Sequence, residues 1–293
     1  MPYRLTGYLL LALAMMTVGS TVVVSKLLAG SITPFIATVL RLALALPVLL
    51  ALAWWRGERW PALTRREGLL LTLQAAAGSV GYTVFLIAGM AHLPAADAGV
   101  VIGTLPAMAA LFSALVLGER PGARLVLAVL LATGGVLAVA WSGHAPAPST
   151  GVFLVLAAVV CESAFILLHK RMVRPLPPLT QATAMAGLGL LVALPFAAFE
   201  LPTAALPSPA ALAAVAWYAL VPTVGGFLLW YAGAARVSGS EAAAFTAVAP
   251  LTAVALAALW LGEAVGTRQA LGALAVLLGI LVLALPQRAP RTA

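Results

Sequence analysis

The chain has 293 residues, of which 63% are hydrophobic and only 8% charged, against roughly 25% charged in soluble domains. A mean hydropathy of +1.11 and so few charges exclude a water-soluble fold of this size, because lipid alone rewards an apolar exterior. The net charge of +8 does not mark a nucleic-acid binder, since the basic residues sit between the apolar stretches instead of on one domain.

A bilayer core takes about 20 apolar residues per helix. By that ruler the sequence predicts an all-α membrane protein of ten transmembrane helices, over residues 5–25, 33–55, 67–89, 95–117, 124–142, 149–169, 179–200, 209–231, 240–261 and 267–286. The links are short, with no room for a soluble domain. With the N-terminus in the cytoplasm, one face holds Arg4, Arg56, Arg59, Arg65, Arg66, Arg120, Arg124, Lys170, Arg171, Arg174, Arg236, Arg288 and Arg291. The other holds only Lys26 and Arg268, and Arg41 lies within a span. This asymmetry obeys the positive-inside rule, predicts both termini in the cytoplasm and suits a bacterial inner membrane.

A shift of 144 residues lays the sequence on itself. Gly7 meets Gly151, Lys26 meets Lys170, Gly81 meets Gly225, Gly89 meets Gly233, Pro106 meets Pro250 and Arg124 meets Arg268. Leu117-Gly118-Glu119 meets Leu261-Gly262-Glu263, and Gly135 meets Gly279. The expected units are 1–144 and 145–293, five spans each. An odd number of spans makes the second half enter the membrane from the opposite side, an inverted repeat of the kind found in secondary transporters. The pairing of Gly7 and Lys26 also keeps the first span in the repeat, against a cleaved signal peptide.

Ten helices in two halves, with Pro106 and Pro250 followed by "LVLGER" and "LWLGEA", resemble the drug/metabolite transporter superfamily, and within it the EamA-type exporters. The resemblance spans essentially the whole chain. It implies two inverted halves around a central cavity with the fifth and tenth helices peripheral. It also implies transport of amino acids, metabolites, drugs or sugars, some relatives being aromatic amino acid exporters of the YddG type. The fourth span here, "VVIGTLPAMAALF", lacks the aromatics expected of a dedicated aromatic exporter.

Candidate site residues follow the spans. Gln74, Gly78, Tyr82, Phe85 and Gly89 recur at three- or four-residue steps, matched in the second half by Tyr218, Pro222, Gly226, Leu229 and Gly233. Such a face reads either as a cavity wall or as close packing, for which membrane helices use small residues. Pro106, Pro250 and Pro222 each remove a helix hydrogen bond and are expected to bend their spans beside the transport path. Glu162, in the middle of the sixth span, costs about 2.5–3.5 kcal/mol to insert as a charge. It reads as the acceptor of a substrate amino group, as a proton-coupling carboxylate, or as a partner of buried Arg41. Its repeat mate, Val18, carries no charge. Met16 and Ser20, Thr104, Ser163 and Phe165, Thr223, Phe245 and Thr246 complete the expected cavity lining, although a lone Ser or Thr in a membrane helix commonly bonds its own backbone.

Asp97 and Glu241 correspond by the repeat and read as helix caps, Ser238 and Glu241 as a capping box. Glu119 and Glu263 are expected to tie loops to nearby arginines. Trp54, Trp55, Trp60, Trp141 and Trp260 suit the interfacial belt. Asp97 is the only aspartate and Cys161 the only cysteine, and His92, His144 and His169 fall at span ends. An aspartyl dyad is therefore impossible, no HExxH or phosphate-binding glycine loop is present, and no enzyme activity, cofactor or metal is expected. The expected function is a secondary transporter working by alternating access, exporting amino acids or similar metabolites. The alternatives are a broad-specificity drug exporter and a membrane scaffold. The partners are a small-molecule substrate and the lipid bilayer, with no nucleic acid, and the oligomeric state stays open between monomer and dimer.

Overall fold

The computed structural model describes residues 2–58, 60–117, 122–140, 150–172, 176–204, 206–237, 242 and 245–284. The regular elements among these residues are all helices, with no strand among them. Seven helices are long and apolar enough to cross a membrane, and three shorter apolar helices cover Ala123–Ala138, Val248–Leu261 and Thr267–Val282. In chain order the elements are α1 (Pro2–Leu28), α2 (Pro34–Trp55), α3 (Arg65–Met90), α4 (Ala95–Ile102, then Leu105–Leu117), α5 (Ala123–Ala140), α6 (Thr150–Lys170), α7 (Pro178–Glu200), α8 (Pro209–Ala234), α9 (Val248–Leu261) and α10 (Thr267–Ala284).

Proline opens α2, α7 and α8, where its missing N–H is not needed. At α3, Thr64 and Glu67 form a reciprocal capping box, and Ser208 accepts from the Ala211 N–H at the start of α8. Two helices contain a widened turn, Ala75–Gly81 in α3 and Ala219–Gly226 in α8, which begin 144 residues apart. In the second, Pro222 cannot donate to the Tyr218 carbonyl, and the Thr223 hydroxyl donates to that oxygen instead, at 2.8 Å. π-Turns of this kind concentrate at functional sites.

Where helices cross, glycines let backbone meet backbone. A Cβ on Gly89 would lie 3.2 Å from the Gly151 carbonyl oxygen, and one on Gly233 would lie 3.1 Å from that of Gly7. The first contact joins α3 to α6 and the second joins α8 to α1, the same pair of positions displaced by 144. Likewise Gly135 on α5 faces the Gly272 carbonyl of α10, while Gly279 on α10 faces the Ala128 carbonyl of α5. α5 packs along α10, and both touch α4.

Carboxylates tie helix ends to one another. Glu200, at the end of α7, accepts from the Phe35 and Ile36 N–H groups at the start of α2, at 3.0 and 3.1 Å. Glu58, just past α2, accepts from the Thr180 hydroxyl at the start of α7 at 2.7 Å. Gly262 ends α9 in the left-handed region (φ 65°), which directs Glu263 at the start of α4. There its two oxygens accept from the Ala95 and Ala96 N–H groups at 3.0 and 2.8 Å. An anion at a helix N-terminus satisfies free amides and opposes the helix dipole.

Two expectations are corrected here. Asp97 does not cap α4; it accepts from the Gln269 side chain at 2.8 Å, because Glu263 already holds the free amides. Glu263 accordingly ties a helix start, and among the described residues not an arginine. The expected 95–117 span is met by Ala95–Val116, interrupted at Gly103 and Thr104 just before Pro106, as an interruption at Thr246 and Ala247 precedes Pro250 in α9. Pro106 cannot donate to the Ile102 carbonyl, and the interruption falls in the turn that its ring would otherwise crowd. Glu119, Ser238, Glu241, Trp141 and His144 lie outside the described residues.

Candidate functional site

The polar interior is built where α2, α3, α6, α7 and α8 meet. Arg41 on α2 is buried, 4% exposed. Its Nη1 donates to the Thr223 hydroxyl at 2.7 Å, and its Nη2 donates to the Ser79 carbonyl and, at 3.1 Å, to the Thr83 hydroxyl. The Tyr218 ring lies 4.9 Å beneath the guanidinium, a cation–π contact. Ser79 and Thr223 are repeat mates, so one arginine fork grips equivalent positions of the two widened turns. Beside it the Tyr82 hydroxyl contacts the Thr21 hydroxyl at 3.3 Å.

Glu162 lies on α6, partly exposed. Arg41 spends its terminal nitrogens elsewhere, so the pairing of Arg41 with Glu162 does not form. Among the described residues Glu162 has no hydrogen-bond or ion-pair partner. Every other described carboxylate, of Glu58, Glu67, Asp97, Glu200 and Glu263, binds a helix start or a side-chain amide. Glu162 lies on the side of α6 near the Tyr82 and Tyr231 rings.

One face of α6 carries Glu162, Phe165, Ile166 and His169 in successive turns. Phe165 lies on the bare backbone of Gly78, whose Cβ would meet its ring at 2.8 Å. Below it Gln74, fully buried, accepts from Gln181 Nε2 of α7 at 3.0 Å. His169 stacks on Phe165 (centroids 6.4 Å apart) and leans on Tyr231 (5.6 Å), which in turn contacts Phe227 (6.0 Å).

The structure thus brings Gln74, Gly78, Tyr82, Glu162, Phe165 and Thr223 into this interior. Others of the expected lining lie elsewhere or are satisfied locally. Met16 continues the exposed apolar stripe of Leu5, Leu9 and Leu13. Ser20, the next on that face, donates to the Thr17 carbonyl and accepts from Trp217 at 3.4 Å. Thr104 and Ser163 bond carbonyls of their own helices, both at 2.8 Å. Phe245 stacks on Tyr8 at 5.4 Å, and Thr246 is buried beside it. Pro222 sits in the widened turn of α8, and Pro106 and Pro250 stand at their helix starts. Sequence reasoning missed Gln181, His169, Phe227 and Tyr231 as one group. The available signal was a second glutamine in an apolar span. Two cavities of about 190 Å³ each, one between α4, α9 and α10 and one between α4, α5 and α6, are lined almost wholly by apolar side chains; Thr104 lines the second, and neither includes Gln74, Glu162, Gln181, His169 or Tyr231.

Comparison with known proteins gives the chemistry a context. The EamA-like transporter family matches twice, over residues 5–141 and 149–285. An "Uncharacterized transporter YetK" of Bacillus subtilis is 32% identical over 98% of this chain and 89% of its own length. A "Probable terminal-alkyne amino-acid exporter" of Streptantibioticus cattleyicolor is 28% identical over 68% of this chain and 67% of its own. A solved structure titled "Crystal structure of protein" shares the fold, with a TM-score of 0.65 at 22% identity, covering 96% of this chain and 97% of that one. With its apolar helices and its two matches, this chain belongs to the EamA-like transporter family of the drug/metabolite transporter superfamily, and is a multi-pass membrane transporter of small molecules, not an enzyme.

Proposed function

We propose that the chain exports amino acids, aromatic ones included, or similar small amines across a bacterial inner membrane by alternating access. In this reading ten helices form two inverted halves, 1–144 and 145–293, with both termini cytoplasmic and the substrate held between the halves. Several features support it. The family matches each half separately. The widened turns and two sets of glycine crossings recur at an offset of 144, and Arg41 grips equivalent positions of both turns. Thirteen of the sixteen cations fall on the face assigned to the cytoplasm. The name of the amino-acid exporter among the relatives agrees with the substrate class.

The observation that carries the site is Glu162, a mid-span carboxylate with no partner among the described residues while the other described carboxylates are engaged. An intramembrane carboxylate of this kind is a functional group by default, and the ammonium of a substrate is its natural counter-ion. Gln74, Gly78, Tyr82 and Phe165 line the space around it. The breaks before Pro106 and Pro250, and the turn at Pro222, are the points at which the helices bend.

The test is efflux of labelled amino acids from preloaded proteoliposomes, with and without a pH gradient, for wild type and Glu162→Gln. Loss of efflux on substitution, with no response to the gradient, is expected if Glu162 holds the amino group alone. Dependence on both assigns it proton coupling as well. Efflux that ignores the gradient and survives the substitution refutes the role of Glu162. No efflux of any amino acid by folded protein moves the substrate to the broader drug class.

A further inference from the structure

The amide pair below Glu162 is incompletely used. Gln181 Nε2 donates to Gln74 Oε1, which leaves the Gln74 amide nitrogen and the Gln181 carbonyl oxygen buried without partners. Exchanging oxygen and nitrogen in both side chains reverses the bond and leaves the same inventory, one NH₂ and one C=O. The Tyr231 hydroxyl and His169 Nδ1 are also buried and unpartnered, Gln181 approaching the hydroxyl without completing a bond. Gln74, Gln181 and Tyr231 are 0, 1 and 6% exposed.

Four unspent polar groups from α3, α6, α7 and α8 therefore converge inside one wall of Phe165, Phe227 and the His169 and Tyr231 rings. Buried polar groups are ordinarily satisfied, so such a concentration calls for a polar atom from outside the chain. The group carries no formal charge of its own. It offers donors and acceptors together, which suits a hydroxyl and not an ion. Glu162 stands seven residues up the same face of α6, about 10 Å along the helix.

We propose that this cluster is a second subsite, which receives the ring hydroxyl of an arylalkyl amine whose ammonium is held by Glu162. The inference rests on the amine-binding role of Glu162 and adds the other end of the substrate: a flat aromatic body that terminates in a hydrogen-bonding group. A phenol on a two-carbon amine carries its hydroxyl and its ammonium at opposite ends, as the cluster and Glu162 stand at different heights of the same α6 face. A hydroxyl there donates to the free carbonyl and accepts from the free amide. A site built to hydrogen-bond a hydroxyl discriminates against the analogue that lacks it, because its own groups are then left unpaired.

The experiment is binding of tyramine and phenethylamine to the full-length protein in lipid nanodiscs, by titration calorimetry. Wild type is expected to prefer tyramine by about tenfold or more, the effect of one well-made hydrogen bond to a buried site. Gln74→Leu/Gln181→Leu, which removes both halves of the bonded pair together, brings the ratio to within about twofold. Tyr231→Phe, a smaller change that keeps the ring, lowers the ratio severalfold and serves if the double variant does not fold. Equal affinities in wild type overturn the proposal and leave the cluster holding a water molecule. A tenfold preference that survives both sets of substitutions overturns it as well. Glu162→Gln is judged separately. If it leaves both affinities unchanged, the amine role fails, while the hydroxyl ratio still reports on the cluster; if neither amine binds wild type, both readings fall.

Discussion

Gly134 and Gly135 are neighbours on α5 with opposite surroundings, and replacing each by alanine separates backbone propensity from helix packing. A Cβ on Gly135 would lie 2.7 Å from the Gly272 carbonyl oxygen and 2.7 Å from Val276 Cγ2, whereas one on Gly134 meets nothing within 4 Å. The Gly272 oxygen is main chain and cannot swing aside, so α5 and α10 must part. Overpacking of this kind costs about 1–3 kcal/mol. Both substitutions gain the same helix propensity, about 0.5–1 kcal/mol. That gain cancels in the comparison, so Gly135→Ala should be less stable than Gly134→Ala by the full steric cost of about 1–3 kcal/mol. Gly134→Ala by itself should match or slightly exceed wild type. The assay is the folded fraction of purified protein against denaturing detergent, read by tryptophan fluorescence. Equal stability of the two variants, or Gly135→Ala as the milder change, would refute the close approach of α5 to α10.

Two further perturbations address the helix ties. Arg41→Lys keeps the charge but not the fork, so it cannot hold Thr223, Ser79 and Thr83 together; loss of one charged hydrogen bond should lower stability by about 1.5–3 kcal/mol in thermal unfolding. Unchanged stability would mean that the arginine does not clasp the two widened turns. Glu263→Ala should cost about 0.5–2 kcal/mol, the range for losing a helix cap, and hydrogen exchange should rise first at the Ala95 and Ala96 amides. Exchange that stays slow there would remove Glu263 from the start of α4.

Helix positions were largely legible in the sequence. The expected spans 33–55 and 179–200 meet helices at Pro34–Trp55 and Pro178–Glu200, because proline marks a helix start and the charged or tryptophan-rich ends mark its stop. The interruption at Gly103 and Thr104 lies in the turn before Pro106, where the proline pointed to a bend, although the apolar run continues through it. Glu263 capping Ala95 joins residues 168 apart, which no local pattern reveals; Asp97 occupied the place where a cap is expected, and took a side-chain partner instead. The face of Gln74, Gly78 and Tyr82 could be read from spacing along one helix. Gln181, which bonds Gln74, and the His169 and Tyr231 rings near it could not, because they come from three other helices whose rotation the sequence does not state. The Arg41–Glu162 pairing, one of three readings of Glu162, was reasonable by charge, but the arginine's terminal nitrogens bond Thr223, Ser79 and Thr83 instead.

The reciprocal ties at the two ends of α2 and α7 constrain how any cycle can proceed. Glu200 holds one end of this antiparallel pair and Glu58 the other. Longitudinal sliding of α2 along α7 by one turn would strip both ends in the same step, whereas a small rotation about their common line strips neither. The pair thus behaves as a doubly pinned strut that joins the first half of the chain to the second, leaving rotation about that line, and not sliding along it, as the motion that keeps both pins.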